Sequence, residues 1–238
     1  PIDHCNIPTG LNMKLLLLPA LALIAVLVSI PLHPPTIPVN SIQPIELTVP
    51  AHVQLFPTTE PAYTIGCTST SINEKKHYWL TAAHCVSDKS YQYRLHGSLM
   101  FDIVVNTYDD IAIFTTPTYA APAVPLATQP LPACRYIADK RCQVSVTGYP
   151  FGWTKHTTVI GNVAVPSVIV SYIPGWDRPF TIYQLPVGPG MSGSAVLSRD
   201  QEIVSVALMA WGYQVSPLMG GVDLKVLQQY HWYWENNE

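Results

Sequence analysis

Three short strings in this chain carry groups able to do acyl chemistry. Thr81-Ala82-Ala83-His84-Cys85 sets an imidazole behind two small residues. Asp110-Ile111-Ala112 sets a carboxylate at the head of an apolar run. Gly188-Pro189-Gly190-Met191-Ser192-Gly193-Ser194 sets a hydroxyl among glycines. A serine hydroxyl is a weak nucleophile until a neighbouring base takes its proton, and the base needs a carboxylate to fix its tautomer and stabilise the imidazolium. Histidine, with an unperturbed pKa of about 6.5, suits proton transfer near neutrality. Each string alone has an ordinary explanation, such as a glycine-rich turn between strands or a structural histidine of the kind His33, His52, His77, His96, His156 and His231 are read to be. Together, in the order His, Asp, Ser, they mark Ser192 as nucleophile and His84 as base, with Asp110 or its neighbour Asp109 as the orienting acid. Adjacent residues of a strand face opposite ways, so only one of the two acids can address His84; the other is left as a solvated turn residue. Gly190 takes positive φ at little cost, which lets the N–H groups of Gly190 and Ser192 converge on an oxyanion.

These strings resemble those of the chymotrypsin-like serine peptidases, over about Thr64 to Leu227. Within that family the chain is closest to the compact bacterial branch, the glutamyl endopeptidases and high-temperature-requirement proteases. His84 and Asp110 are 26 positions apart, a short spacing similar to that branch, and Gly148-Tyr149-Pro150-Phe151-Gly152 resembles a string common there. An acid followed by a branched aliphatic and alanine is the family pattern, which selects Asp110. Trp211-Gly212, after the apolar run Ile203 to Met209, resembles the segment whose backbone pairs with substrate. The resemblance implies an all-β fold of two antiparallel six-stranded β-barrels with the active site in the cleft between them. It also implies a serine endopeptidase that works through an acyl-enzyme on protein or peptide substrates, with no metal and no organic cofactor. It pairs Cys67 with Cys85 and Cys134 with Cys142. The floor of its primary pocket falls near Pro186, with Val187, Gly188 and Gly212 on the walls, none of them charged. That fits small or medium apolar side chains, although Tyr183 or His156 could serve an acid-selective pocket. Two positions depart from the family. Met191 stands where pancreatic-type members have an acid that pairs with a newly cut N-terminus. Ala210 stands where many relatives have a serine supporting the triad acid, a hydrogen bond typically worth about 1 kcal/mol.

The elements that must position these groups are short. Runs rich in β-favouring residues occur at 63–68, 78–81, 91–95, 101–106 and 111–115, then at 143–148, 157–165, 167–173, 180–185, 194–197 and 203–210. Many short strands separated by turn residues point to a sandwich or barrel. Residues 116–132, rich in Pro and Ala and without charge, read as a crossover between halves, and 222–233 reads as a closing helix. No period of 20 to 50 residues repeats, which excludes a solenoid or propeller. The domain reading is residues 62–125 for an N-terminal β-barrel and 126–238 for a C-terminal β-barrel with its helix. A proline-rich leader at 31–61 precedes them.

Of the 238 residues 48% are apolar and 11% charged, with a net charge of −3. That supplies a core, and it lacks the basic stripe of a nucleic-acid binder. Met13-Lys14 followed by the apolar run Leu15 to Ile30 reads as a secretory signal at residues 13–30, shorter than the ~20 residues a bilayer span usually needs. A retained anchor and a buried helix are the alternatives, and membrane contact is expected only if that run stays attached. Residues 1–12 read as upstream or fragment sequence, which sets Cys5 aside. The remaining four cysteines allow three connectivities. Oxidation suits an exported, extracellular or periplasmic protein, whereas four free thiols would suit a cytosolic one. A zinc site from His77, His84 and Cys85 matches no standard ligand spacing. Two functions besides an exported endopeptidase stay open: a non-catalytic binding module of the same fold and a membrane-tethered scaffold.

Overall fold

A computed structural model describes residues 39–48, 63–89, 91–134, 139–152, 155–169, 178–210 and 216–236. The apolar run Leu15 to Ile30, Cys5 and most of the proline-rich leader lie outside the described residues, as do Trp211 and Gly212. The described chain is all-β until its last element. The strands are β1 Ile42–Thr48, β2 Tyr63–Asn73, β3 Tyr78–Thr81, β4 Gln92–Leu95, β5 Ser98–Leu99, β6 Phe101–Asn106 and β7 Ile111–Thr115. After the crossover come β8 Gln143–Gly148, β9 Thr157–Val168, β10 Phe180–Val187, β11 Ala195–Ser198, β12 Ile203–Ala210 and β13 Ser216–Val222. Helix α1, Leu224–Asn236, closes the chain.

The two halves are antiparallel sheets. The second is a closed six-stranded barrel in the order β10-β13-β12-β11-β8-β9, and the first is a seven-stranded sheet in the order β5-β4-β1-β2-β3-β7-β6. The seventh strand arises because the leader contributes β1, which lies between β2 and β4. The pattern that carries it is Ile42 and Ile45, 3% and 0% exposed. Pro44 interrupts that pattern without breaking the strand. It precedes Ile45, the first residue paired with β4, so only one side of β1 is occupied there, and proline is tolerated on such an edge. Likewise β9 runs through Pro166, where two strands separated at that proline were expected. Pro166 and Ser167 fall in the register shift opposite Thr181, Ser167 has φ +49°, and an extra residue in left-handed conformation is what a bulge accommodates.

Alternation builds the second barrel. Along β10, Tyr183, Leu185 and Val187 turn inward while Gln184 and Pro186 face solvent. They join Val144, Val146, Val163, Met191, Val196, Val204 and Met219 in one apolar cluster. The other cluster is centred on Trp79, Leu80, Leu95 and Phe114 of the first sheet, and it takes in Leu197, Ile203 and Val206 of the second and Val226 and Leu227 of α1. The halves therefore share a core. Asp223 starts α1 as its N-cap, its carboxylate accepting from Lys225 N at 2.9 Å in the usual way.

Both disulfides implied by the resemblance are formed, Cys67–Cys85 and Cys134–Cys142. The first spans 18 positions, and closing a loop of that size removes about 3 kcal/mol of unfolded-state entropy in the chain-entropy view. The double variant Cys67→Ala/Cys85→Ala is expected to lose about that much stability in urea unfolding. A loss confined to a few tenths would mean that the pair adds little to holding β2 against the histidine turn.

Candidate active site

The histidine comes to its place through the end of β3. Thr81 closes the strand, and Ala82 and Ala83, 0% and 1% exposed, are small enough to bury the tight turn Ala83–Cys85 that carries His84. Cys85 fastens that turn to β2 through Cys67. Asp110 then holds it at three points. Its carbonyl accepts from Ala83 N at 3.1 Å, Oδ1 accepts from His84 N at 2.9 Å, and Oδ2 lies 2.8 Å from His84 Nδ1. An ionised carboxylate only accepts, so Nδ1 carries the proton of the neutral ring and Nε2 is left as its base. The imidazole side chain is 47% exposed and the Asp110 side chain 13%, so the ring meets solvent while its orienter does not.

Asp110 pays for this with a left-handed backbone, φ +53°, a conformation that persists only where its surroundings over-determine it. Asp109 is among them. It is half-buried rather than the solvated turn residue expected beside Asp110. Asn106 Oδ1 accepts from Asp109 N at 3.0 Å, and Asn106 Nδ2 donates to Asp109 Oδ2 at 3.2 Å. Tyr230 of α1 donates its phenol to the same carboxylate oxygen. Burial and then the Asp109 carboxylate push the Tyr230 phenol up to about 12, so it remains a donor through the neutral range. From the second half, Arg178 donates to Thr107 O at 3.4 Å and lies over the Tyr108 ring at 5.9 Å. Helix α1 and Arg178 thus brace the turn from which Asp110 projects. Sequence reasoning missed Asn106, Arg178 and Tyr230, and no local string marks them.

Ser192 sits on the turn between β10 and β11, and its hydroxyl donates to Leu208 O at 3.3 Å. No hydrogen bond joins it to His84 among the described residues. The turn is nevertheless lodged beside the histidine. Gly193, at φ +82°, leaves no room for a β-carbon, which would fall 2.1 Å from Thr81 Oγ1 and 3.0 Å from Ala82 N, two residues before His84. The peptide planes around Ser192 are set by their carbonyls. Pro189 O accepts from Phe151 N at 2.6 Å and Met191 O from Ser194 N at 3.1 Å. In a trans peptide the N–H points opposite the C=O, so the N–H groups of Gly190 and Ser192 are turned away from those partners. Neither has an acceptor among the described residues. Gly190 reaches this geometry at φ +90°, with Tyr149 O only 2.3 Å from where a β-carbon would sit.

The positions expected to shape specificity are less uniform. Pro186 is exposed, Val187 is buried at 3% and Gly188 is half-buried. Tyr183 is fully buried in the barrel core, where burial above all pushes its phenol far up. It therefore offers no hydroxyl to an acidic side chain from solvent. His156 is exposed, its ring 6.2 Å from that of Tyr149. Met191 is 2% exposed and belongs to the second apolar cluster, where an acid would be an uncompensated charge. A cavity of 330 Å³ lined by Leu131, Val163, Tyr183, Val204, Asp223 and Leu224, among others, touches none of the three strings.

A profile of the trypsin-like peptidase domain matches residues 67–206. The chain belongs to the trypsin-like peptidase domain family. Among solved structures it is similar to an HtrA-type protease, an AlgW variant with a decapeptide. The TM-score is 0.62 at 12% identity, over 84% of this chain and 65% of that one. It is also similar to AlgW with a decapeptide, at TM-score 0.61 and 13% identity over 81% and 64%. A third likeness is to the Rv3671c protease from M. tuberculosis in its active form, at TM-score 0.60 and 16% identity over 97% and 91%. At such identities the likeness is one of fold, and the chain spans less than two thirds of the AlgW chains. Among curated proteins none matches.

Proposed function

We propose that the protein is an exported serine endopeptidase in which His84, Asp110 and Ser192 act as a triad. The observation that carries this reading is the paired grip of the Asp110 carboxylate on His84 N and Nδ1, at 2.9 and 2.8 Å. That grip leaves Nε2 as a directed base. Nε2 takes the proton of Ser192, the alkoxide adds to a peptide carbonyl, and the Gly190 and Ser192 N–H groups receive the oxyanion. The imidazolium then protonates the leaving amine, and water releases the acyl-enzyme by the same route. Met191 in the apolar cluster supports a hole that forms without a freed α-amine, so trimming of the leader is not needed for activity. The uncharged surroundings of Val187 and Gly188 favour small or medium apolar side chains at the scissile bond. Two disulfides fit an oxidising compartment. No helix among the described residues is long and apolar enough to cross a membrane.

One observation favours a second reading, a binding protein of the same fold. The Ser192 hydroxyl is bonded to Leu208 O and not to the imidazole. Incubation with unfolded casein, alongside a fluorophosphonate probe, separates the two. The peptidase reading expects new peptides and covalent labelling. Intact casein and an unlabelled protein leave the binding module. Profiling the cleavage products of a random peptide library then tests the apolar preference, which a majority of cuts after Glu or Arg would end.

A further inference from the structure

Thr68 occupies an unremarked run of small polar residues, Cys67-Thr68-Ser69-Thr70-Ser71, yet more of the site converges on it than on any of its neighbours. It is fully buried in β2. Its N–H donates to Ser192 O at 2.9 Å. Its hydroxyl donates to Gly190 O at 2.9 Å and accepts from Tyr149 N at 3.1 Å. Its carbonyl accepts from Thr81 Oγ1 at 2.9 Å, three residues before His84. The residue before it is bonded to the residue after His84 through Cys67–Cys85. One buried threonine of the first sheet thus touches both residues whose N–H groups lack acceptors among the described residues, and it does so from the strand that also secures the histidine.

A hydroxyl has a single proton to give, and here it goes to a carbonyl of the turn that no backbone donor reaches among the described residues. Pro189 O is held by Phe151 N and Met191 O by Ser194 N. Gly190 O lies between them, and among the described residues Thr68 alone holds it. Glycine is the residue whose flanking peptides rotate most freely, so an unheld Gly190 carbonyl would release the planes on either side of it. We infer that Thr68 is a positioning residue: its hydroxyl, through Gly190 O and Tyr149 N–H, holds the Gly190 and Ser192 N–H groups in place for the oxyanion. This rests on the peptidase reading above.

The test compares Thr68→Val, which keeps the shape and loses the hydroxyl, with Thr68→Ser, which keeps the hydroxyl. Rates are taken per active site, counted by fluorophosphonate labelling, on a peptide substrate. Loss of one direct oxyanion donor lowers kcat by about 10²- to 10³-fold. For a residue acting through the donors the expectation is a loss of about 10- to 100-fold in kcat with KM little changed. Affinity for a peptidyl boronate should fall in parallel, and Thr68→Ser should recover most of both. Should Thr68→Val not fold, Thr68→Ala removes the hydroxyl without adding a methyl to a buried polar site and must show the same loss. Wild-type kcat in a hydroxyl-free variant, or equal losses in the serine and hydroxyl-free variants, overturns the inference while the peptidase reading stands. A wild-type protein that neither labels nor cleaves overturns both.

Discussion

Ser192→Ala is expected to abolish fluorophosphonate labelling and to lower kcat by about 10⁶-fold, the scale on which removing a triad nucleophile acts. The loss should be chemical and not structural. The side chain is half-exposed and its one hydrogen bond among the described residues, to Leu208 O, is long at 3.3 Å, so thermal unfolding should shift by no more than about 1 kcal/mol in stability. Substrate affinity should hardly change, and a residual rate above that of water should survive, because the N–H groups of Gly190 and residue 192 belong to the backbone and remain. Labelling that persists in the variant would identify another nucleophile. The nearby candidate, Ser194, is a poor one, since it is fully buried and its hydroxyl cannot meet a probe from solvent.

Asp110→Asn is expected to cost about 10⁴-fold in kcat, the loss that follows when a triad histidine is held in the wrong tautomer. The geometry predicts why. The carboxylate accepts from two donors at once, His84 N and Nδ1. An amide must give up one of these. With its oxygen toward His84 N it presents its NH₂ to Nδ1, which forces the ring proton onto Nε2 and removes the base. With its oxygen toward Nδ1 it sets two donors against each other at His84 N. Asp109→Asn is the matching control. That side chain touches Asn106 and Tyr230 and not the imidazole, and an amide oxygen can still accept from the phenol, so most of the activity should remain. Steady-state kinetics on both variants decide the matter, and a larger loss at 109 than at 110 would reverse the assignment of the acid.

The fold class, most of the strands and the closing helix were legible because burial at alternate positions is a local record. Any strand with one wet face must write it into its own residues. The three chemical strings were legible for a related reason: a tight turn onto a core needs small residues before His84, and a crowded turn needs glycines around Ser192. Cysteine pairing followed from family likeness, not from the four residues themselves. Where local signals misled, prolines were responsible. Pro44 fell in a stretch read as leader and Pro166 read as a break, yet one sits in a strand with a neighbour on a single side there and the other within a bulge. Whether a missing N–H matters depends on what lies across from it.

The supports of the site were hidden for the same reason. The left-handed turn at Asp110 is braced by Tyr230 through Asp109, 121 positions before it, and the Gly190 carbonyl is held by Thr68, 122 positions away. A hydroxyl looks alike in sequence whether it faces water or holds a carbonyl in a buried seam. The chain alone therefore determines which groups are available for the chemistry and which faces are apolar. Only the tertiary structure decides how those groups are aimed, because aim is imposed by hydrogen bonds between segments that no local pattern connects.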